Sequence, residues 1–501
     1  MTLQQALDAL KQFEQTSFAL GHAMGILNYD GSTVAPKKSA IPRAVTQGEL
    51  SRISYELTTA PATAEMIETL KAHQAELDFV NARKAEELFR DYDRVRRIPM
   101  DRYVEYQKLC VESDAVWHEA KVNNDFASFE PLLQKMFDMT KELALYVDPN
   151  ADPYDTQLDQ FERGLTAAEC DKFFATVRAG IVPLLAEVVA SPNQVSEPLL
   201  EGKFSIPVQH EFSDYIMGVL GMDRERSIIG ETEHPFTTDF SPNDVRITTH
   251  YHEETPIPSM YSVIHEGGHA LYELNVDDML SMTVLGGGVS MAIHESQSRF
   301  FENIIGRSFE FCGVILPWLK AHFPTQLGGL TQERLYRAVN ASAPSLIRTE
   351  ADELTYCLHI MVRYELERMM FAGTITAKEL PEAWNRLYKE YLSIDVPDDK
   401  RGVLQDSHWS FGAIGYFPSY ALGSAYGAQF LRKMKETVDV DDALSRGDFA
   451  PMNAWNKEHI WKYGSSKSPK DILDIALDGE AFNPDVYLDY LEAKVKDVYK
   501  I

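Results

Sequence analysis

The chain has 501 residues, a formal net charge of −28 and 45% hydrophobic residues, enough for a substantial core in one large or up to about three average domains. The acidity argues against nucleic acid or an anionic membrane surface as main partner, because both attract basic patches. It favours solubility, with a weaker leaning toward cationic substrates. Cys110, Cys170, Cys312 and Cys357 have no CxxC spacing, so neither a zinc ribbon nor a disulfide framework is expected and a reducing compartment fits.

The N-terminal stretch MTLQQALDALKQFEQ has no basic region followed by an apolar one, so it does not read as a signal peptide. Leu3, Leu7, Leu10 and Phe13 recur at helical spacing instead. Nowhere do 18 apolar residues run together, and a soluble, cytoplasmic protein is expected. The first 200 or so residues read as successive helices. Val80 to Arg97 ends at Ile98-Pro99, where proline disfavours helix in the preceding residue. The next helix carries Tyr103, Tyr106, Cys110, Trp117 and Ala120 on one stripe, and turn clusters follow at Pro149 to Pro153 and Ser191 to Asn193.

Between Glu233 and Pro258 the texture changes. FTTDF and VRITTHY read as short strands joined by a turn at Ser241 to Asp244. Val245, Ile247 and Thr249 should face one side of the second strand, with Arg246 and Thr248 on the other. Helical periodicity returns after Pro258 and continues to the end. With no repeats and no long Pro/Gly/Ser-rich linker, residues 1–501 read as one mainly α domain with a small β element just before the strongest chemical signal.

That signal is His265-Glu266-Gly267-Gly268-His269. Residues at i and i+4 share a helix face, so both imidazoles can reach one ion, while Glu266 projects about 100° round the axis. A carboxylate there can take a proton from water rather than bind the metal. Composition alone gives about 0.03 chance copies of HExxH in such a chain. Pro258 suits the first turn, Ser259 could cap it, and Met260, Val263, Ile264, Leu271 and Leu274 form an apolar face. Two glycines in mid-helix cost about 1 kcal/mol each relative to alanine, which points to a close approach by another part of the chain.

A catalytic zinc site needs a third protein ligand and an open position. Glu273, Asp277, Asp278, Glu295 and Glu302 are candidates. Glu273 lies one turn beyond His269 on the same helix and fits a tetrahedral site poorly. Glu295 is preferred: Gly286 to Gly288 break the chain, Ser290 can cap a new helix, and Ile293, Phe300, Phe301 and Ile304 form its buried face. His294 reads as a neighbour that hydrogen-bonds the site rather than a ligand. His250 and His252 could bind metal as a pair, but read more simply as surface or site-lining residues.

These motifs, with His234-Pro235-Phe236, Asp244-Val245-Arg246-Ile247-Thr248, His294 to Gln297, Ile347 to Asp352 and Gly402 to Trp409, resemble the Taq-type metallocarboxypeptidase family. The resemblance implies an almost wholly helical fold with a deep groove, usually dimeric. It also implies release of single residues from free peptide C-termini with broad specificity, and zinc or cobalt as the metal. Recognition of an α-carboxylate calls for an arginine fork. Arg348 is the favoured contact, with Arg246 closing the groove; their alternatives are ion pairs with acids such as Asp352 and Asp244. His408 and Tyr420 (Tyr416 being less favoured) are the expected oxyanion donors, and His234 is expected to contact substrate or brace the groove. The strand around Arg246 to Thr249 could take an extended peptide by strand addition. Two other readings remain: an oligoendopeptidase on the same metal helix, and a peptide-binding protein without turnover, which would not need Glu266 as a base.

Overall fold

The N-terminal apolar stripe is the inner face of a long helix, Leu3–Thr33, in a computed structural model that describes residues 1–195 and 200–501. Thr2 caps this helix: its Oγ1 accepts from the Gln5 amide while the Gln5 side chain accepts from the Thr2 amide, satisfying two otherwise orphaned donors. Ala6, Leu10 and Phe13 bury against Met66, Ile67 and Leu70 of Pro61–Ala72 and Ala85 and Leu88 of Phe79–Arg97. This small core is distinct from the main one, and Val284 packs against both. Glu14 ties the junction, pairing with Lys84 at 2.9 Å and accepting from the Val284 amide at 3.2 Å.

The main core runs from Ala120 to Tyr499. The helical run expected to about residue 200 is present as far as Ala190; residues 196–199 of that span lie outside the described residues. Ala167–Ala190 is, among the described residues, the one helix long and apolar enough to cross a membrane by length and composition. One side of it, including Phe173, Val177, Ile181 and Val188, is buried, and the helix packs against Glu353–Ala372 and Asp485–Tyr499.

The β element has three strands where the sequence pattern marks two: β1 (Ser227–Glu231), β2 (Thr237–Ser241) and β3 (Asp244–Thr249), in the order β1-β3-β2. β1 is parallel to β3, and β2 is antiparallel to it, with an irregularity at Asp239/Ser241. β1 is five residues long and follows the charged run Asp223-Arg224-Glu225-Arg226, too short for alternation to register. Its presence overturns strand addition at β3. That strand is paired on both sides, and Thr248 and Thr249 are fully buried. Thr248 is buried although it lies opposite Val245 and Ile247, because its hydroxyl accepts from the Phe236 amide and from Thr232, closing the turn through His234-Pro235-Phe236.

Helix Ile257–Leu274 packs against β3 and β2. Pro258 lies in its first turn, but Ser259 is not the cap. Ser259 is already inside the helix, and its hydroxyl donates to Gln209 Oε1 at 2.8 Å and to the Pro256 carbonyl at 3.0 Å. Ser290 does cap Met291–Arg299, accepting from the Ile293 amide, and Glu162 accepts from the next free amide, Ala292, at 3.0 Å. A π-helical turn, Phe300–Ile305, continues this helix.

The two glycines of the HEGGH helix sit where neighbours press closest. A Cβ on Gly268 would lie 2.6 Å from the Gln297 carbonyl oxygen and 2.8 Å from Ser298 Cα. Gly423 of helix Phe417–Met434 has the same role against Met291–Arg299, with Glu295 Cβ at 2.8 Å from the position of its missing methyl. Gly268→Ala is therefore expected to destabilise the fold by about 1–3 kcal/mol through overpacking. Gly48→Ala, in an exposed helix with nothing within 4 Å, should stabilise it by about 0.4–1 kcal/mol. Chemical denaturation of both variants checks this; equal effects would contradict the close approach.

Candidate metal centre

His265, His269 and Glu295 are brought together by the contact between Ile257–Leu274 and Met291–Arg299. Their ligand-capable atoms lie within 4.8 Å of one another. Glu295 Oε2 is 3.5 Å from His269 Nε2 and 3.9 Å from His265 Nε2. Two imidazole nitrogens and one carboxylate oxygen around a common point suit a divalent cation with a remaining open position.

The outer atoms of all three residues are engaged. His265 Nδ1 lies 2.8 Å from Glu302 Oε2; as Glu302 accepts, Nδ1 carries the proton and the Nε2 lone pair points inward. His269 Nδ1 lies 2.5 Å from His294 Nδ1, and His294 Nε2 lies 2.7 Å from Glu273 Oε1. With His294 Nε2 donating to Glu273, the Nδ1–Nδ1 contact needs a lone pair on one ring; assigned to His294, it has His269 donate from Nδ1 and present a bare Nε2. Glu273, unsuited as a ligand, thus orients one at second hand, and it also accepts from the Gly288 amide at 3.0 Å.

Glu295 Oε1 accepts from Arg299 Nε at 2.7 Å, and Ser298 Oγ donates to Oε2 at 3.0 Å. Arg299 also reaches Glu302 at 3.4 Å and lies 3.9 Å over the Tyr356 ring. Burial works against an ionised Glu295, yet Arg299 and the two histidines hold its carboxyl well below the usual carboxylate range. Burial also opposes the charged form of His265, but Glu302 and Glu295 lift that ring to about 9. Burial brings His269 down to about 3.

Glu266 lies outside the triad. Burial raises its carboxyl above the usual range, partly offset by His265 and by Thr237. Thr237 Oγ1, from β2, donates to Glu266 Oε2 at 2.6 Å. No motif marked Thr237; its place follows from β2 packing on the metal helix.

The remaining predicted residues divide. His408 Nε2 lies 3.1 Å from Tyr420 Oη, and the rings of His408, Tyr416 and Tyr420 form one cluster. Burial, together with the Arg348 and Arg363 charges and against the pull of Asp406, brings His408 down to about 4, so it is neutral at neutral pH. Arg348, buried, donates to Asp406 Oδ1 from Nε and Nη2 at 3.0 and 2.7 Å, and to Tyr356 Oη at 3.2 Å. Its acid is therefore Asp406, not Asp352, which caps helix Glu353–Ala372 instead. Asp406 also accepts from Arg363 at 2.7 Å, so one carboxylate faces two guanidinium groups and the cluster keeps a surplus positive charge.

Arg246 forms a bidentate pair with Asp244 at 2.8 and 2.7 Å and lies over Tyr29 and Phe240. Its charge is met within the chain, at the seam between the first helix and the sheet. His234 is exposed and its carbonyl accepts from Thr232 Oγ1. The rings of His250 and His252 lie 4.7 Å apart. Among the described residues the one group with metal-ligand geometry is His265, His269 and Glu295.

The Glu273–His294–His269 relay yields a prediction. His294→Ala frees His269 Nδ1 and is expected to weaken metal affinity about 10- to 100-fold, measured by competition with a chelator. Unchanged affinity would contradict the relay.

Comparison with known proteins places the whole chain. The chain is 38% identical over 493 residues to carboxypeptidase 1 of Bacillus subtilis, covering 98% of this chain and 97% of that protein. It is 36% identical over 480 residues to thermostable carboxypeptidase 1 of Pyrococcus furiosus, covering 95% and 96%. The crystal structure of an M32 carboxypeptidase from Deinococcus radiodurans superposes with a TM-score of 0.95 at 35% identity, covering 99% of this chain and 100% of that one. Residues 9–495 match the family described as carboxypeptidase Taq (M32) metallopeptidase, and the chain belongs to that family.

Proposed function

We propose that the protein is a metal-dependent carboxypeptidase that removes single residues from the free C-terminus of peptides with broad specificity. The observation that carries this reading is the short path between two unlike sites. Glu295 is held by Arg299, Arg299 lies over Tyr356, and Tyr356 accepts from Arg348, whose cluster with Asp406 and Arg363 has a surplus positive charge. A site for hydrolysis thus adjoins a buried excess of cationic charge, which favours a substrate carboxylate.

When bound by His265, His269 and Glu295, a divalent cation supplies Lewis acidity that polarises the scissile carbonyl and makes water a stronger acid. Zinc fits the N/O donor set, and cobalt fits it equally. Thr237 holds Glu266 Oε2, leaving Oε1 to take the proton of the attacking water; the raised carboxyl then passes that proton to the leaving amine. Neutral His408 donates from Nε2 to Tyr420 Oη, and Tyr420, held in this way, donates its hydroxyl proton to the oxyanion that develops on the carbonyl. Arg348 sets the register by binding the α-carboxylate, so that only the last peptide bond reaches Glu266. Arg246 and His234 act further out, bracing the wall of a deep substrate groove. The four cysteines are unpaired and three are buried, which supports a cytoplasmic location, and the family likeness supports a homodimer.

The test uses one peptide with a free C-terminus and its amidated twin, followed by mass spectrometry. Stepwise loss of C-terminal residues from the free peptide alone, abolished by chelator, is the expected result. Internal cuts in both peptides would make the protein an oligoendopeptidase. No cleavage of either, with metal bound, would make it a peptide-binding protein.

A further inference from the structure

We propose that Glu367 is a positioning residue for peptide hydrolysis, clamping both ends of the turn 408–416 that carries His408 and Tyr416. The proposal rests on the peptidase reading above.

Glu367 lies on helix Glu353–Ala372 and is fully buried. Its Oε1 accepts from Trp409 Nε1 at 2.7 Å, and its Oε2 accepts from the Gly415 amide at 3.0 Å and from Tyr154 Oη at 2.7 Å. Trp409 follows His408 directly, and Gly415 directly precedes Tyr416. The His408 and Tyr416 rings are stacked with centroids 5.5 Å apart, so the two loop bonds of Glu367 fix the spacing of that pair. One helical turn earlier, Arg363 Nε holds Asp406 at 2.7 Å. Residues at i and i+4 share a helix face, so a single face of this helix grips the segment at residues 406, 409 and 415.

Three donors and no acceptor converge on this side chain, and a carboxylate is acceptor-only. Gln would offer one oxygen and turn its NH₂ toward a donor, leaving buried hydrogen-bonding groups unpaired. Apart from those three donors, the surroundings are apolar and oppose an ionised acid. Tyr154 packs on Phe371 and Trp409 on Phe137, and burial pushes the Glu367 carboxyl up to about 7 against the pull of its three donors. An ionisable group buried among aromatic rings costs stability, and what it secures here is the geometry of the turn. Gly415 adds to the constraint: its φ is +92°, and a Cβ there would meet Gln157 at 3.0 Å.

The test compares wild type, Glu367→Gln, Trp409→Phe and Tyr154→Phe, each as full-length, metal-loaded protein. Kinetics on the free-C-terminus peptide are combined with metal stoichiometry and hydrogen–deuterium exchange of segments 406–416 and 291–299. Glu367→Gln is expected to lower kcat about 10- to 100-fold, with KM within about threefold and metal retained. Exchange should accelerate in 406–416 and not in 291–299. Trp409→Phe, which removes one loop donor and leaves the acid, should show the same pattern to a smaller degree and serves if Glu367→Gln does not fold. Tyr154→Phe, which frees no loop bond, should stay within about threefold of wild-type kcat. Unchanged kcat with faster exchange, unchanged exchange in 406–416, or loss of metal in parallel with kcat would each overturn the proposal. If wild type cleaves neither free nor amidated peptide, the peptidase reading fails and positioning for it falls too; the exchange data then show whether the clamp itself exists.

Discussion

The site depends on how closely two helices approach. Helix Ile257–Leu274 carries two candidate ligands and the candidate base, but its third partner, Glu295, comes from a separate helix that must lie against it. Gly268 permits this, because any side chain there would collide with the Gln297–Ser298 backbone. Gly423 permits a matching approach by helix Phe417–Met434. Two glycines, each unfavourable for its own helix by about 1 kcal/mol, thus place Glu295 Oε2 within 4 Å of both inner histidine nitrogens. Local propensity yields to packing at the positions where the chemistry needs it.

Around that contact, charge is balanced by layers. Glu266, Glu273, Glu295 and Glu302 are buried or nearly so, and each is tied to a hydroxyl, an imidazole or a guanidinium. Arg299 and His265 each reach two of them. Leaving one buried charge without its partner costs about 3–5 kcal/mol, so removing any member both destabilises the fold and misplaces a neighbour. Asp406 does the same for Arg348 and Arg363 some distance away. The two polar clusters are joined through Tyr356, which makes the spacing between the candidate metal ligands and Arg348 a property of the core rather than of mobile loops.

What the sequence made legible was local. The i, i+4 spacing of His265 and His269, the Ser290 cap and the apolar stripe of the first helix each involve neighbours within a turn or two, and the mainly helical architecture follows from such patterns. Relations across long separations were harder to read. Asp352 stood four residues from Arg348 and was the natural ion-pair partner, but Asp406, 58 residues on, takes that place while Asp352 caps a helix. β1 went unseen because five residues carry too little alternation, and its pairing with β3 closed the edge that strand addition would have used. Thr237 and Glu367 sit in no motif; tertiary packing alone brings one to Glu266 and the other to the turn behind His408.

The central claim is that His265, His269 and Glu295 hold one catalytic metal while Glu266, beside them, moves the proton without binding the ion. Metal content and turnover measured on the same preparations of wild type and Glu266→Gln test it most directly. The account predicts one metal per chain in both proteins, with peptide turnover in wild type only. A Glu266→Gln protein that lost its metal, or one that kept turning over peptide, would contradict it.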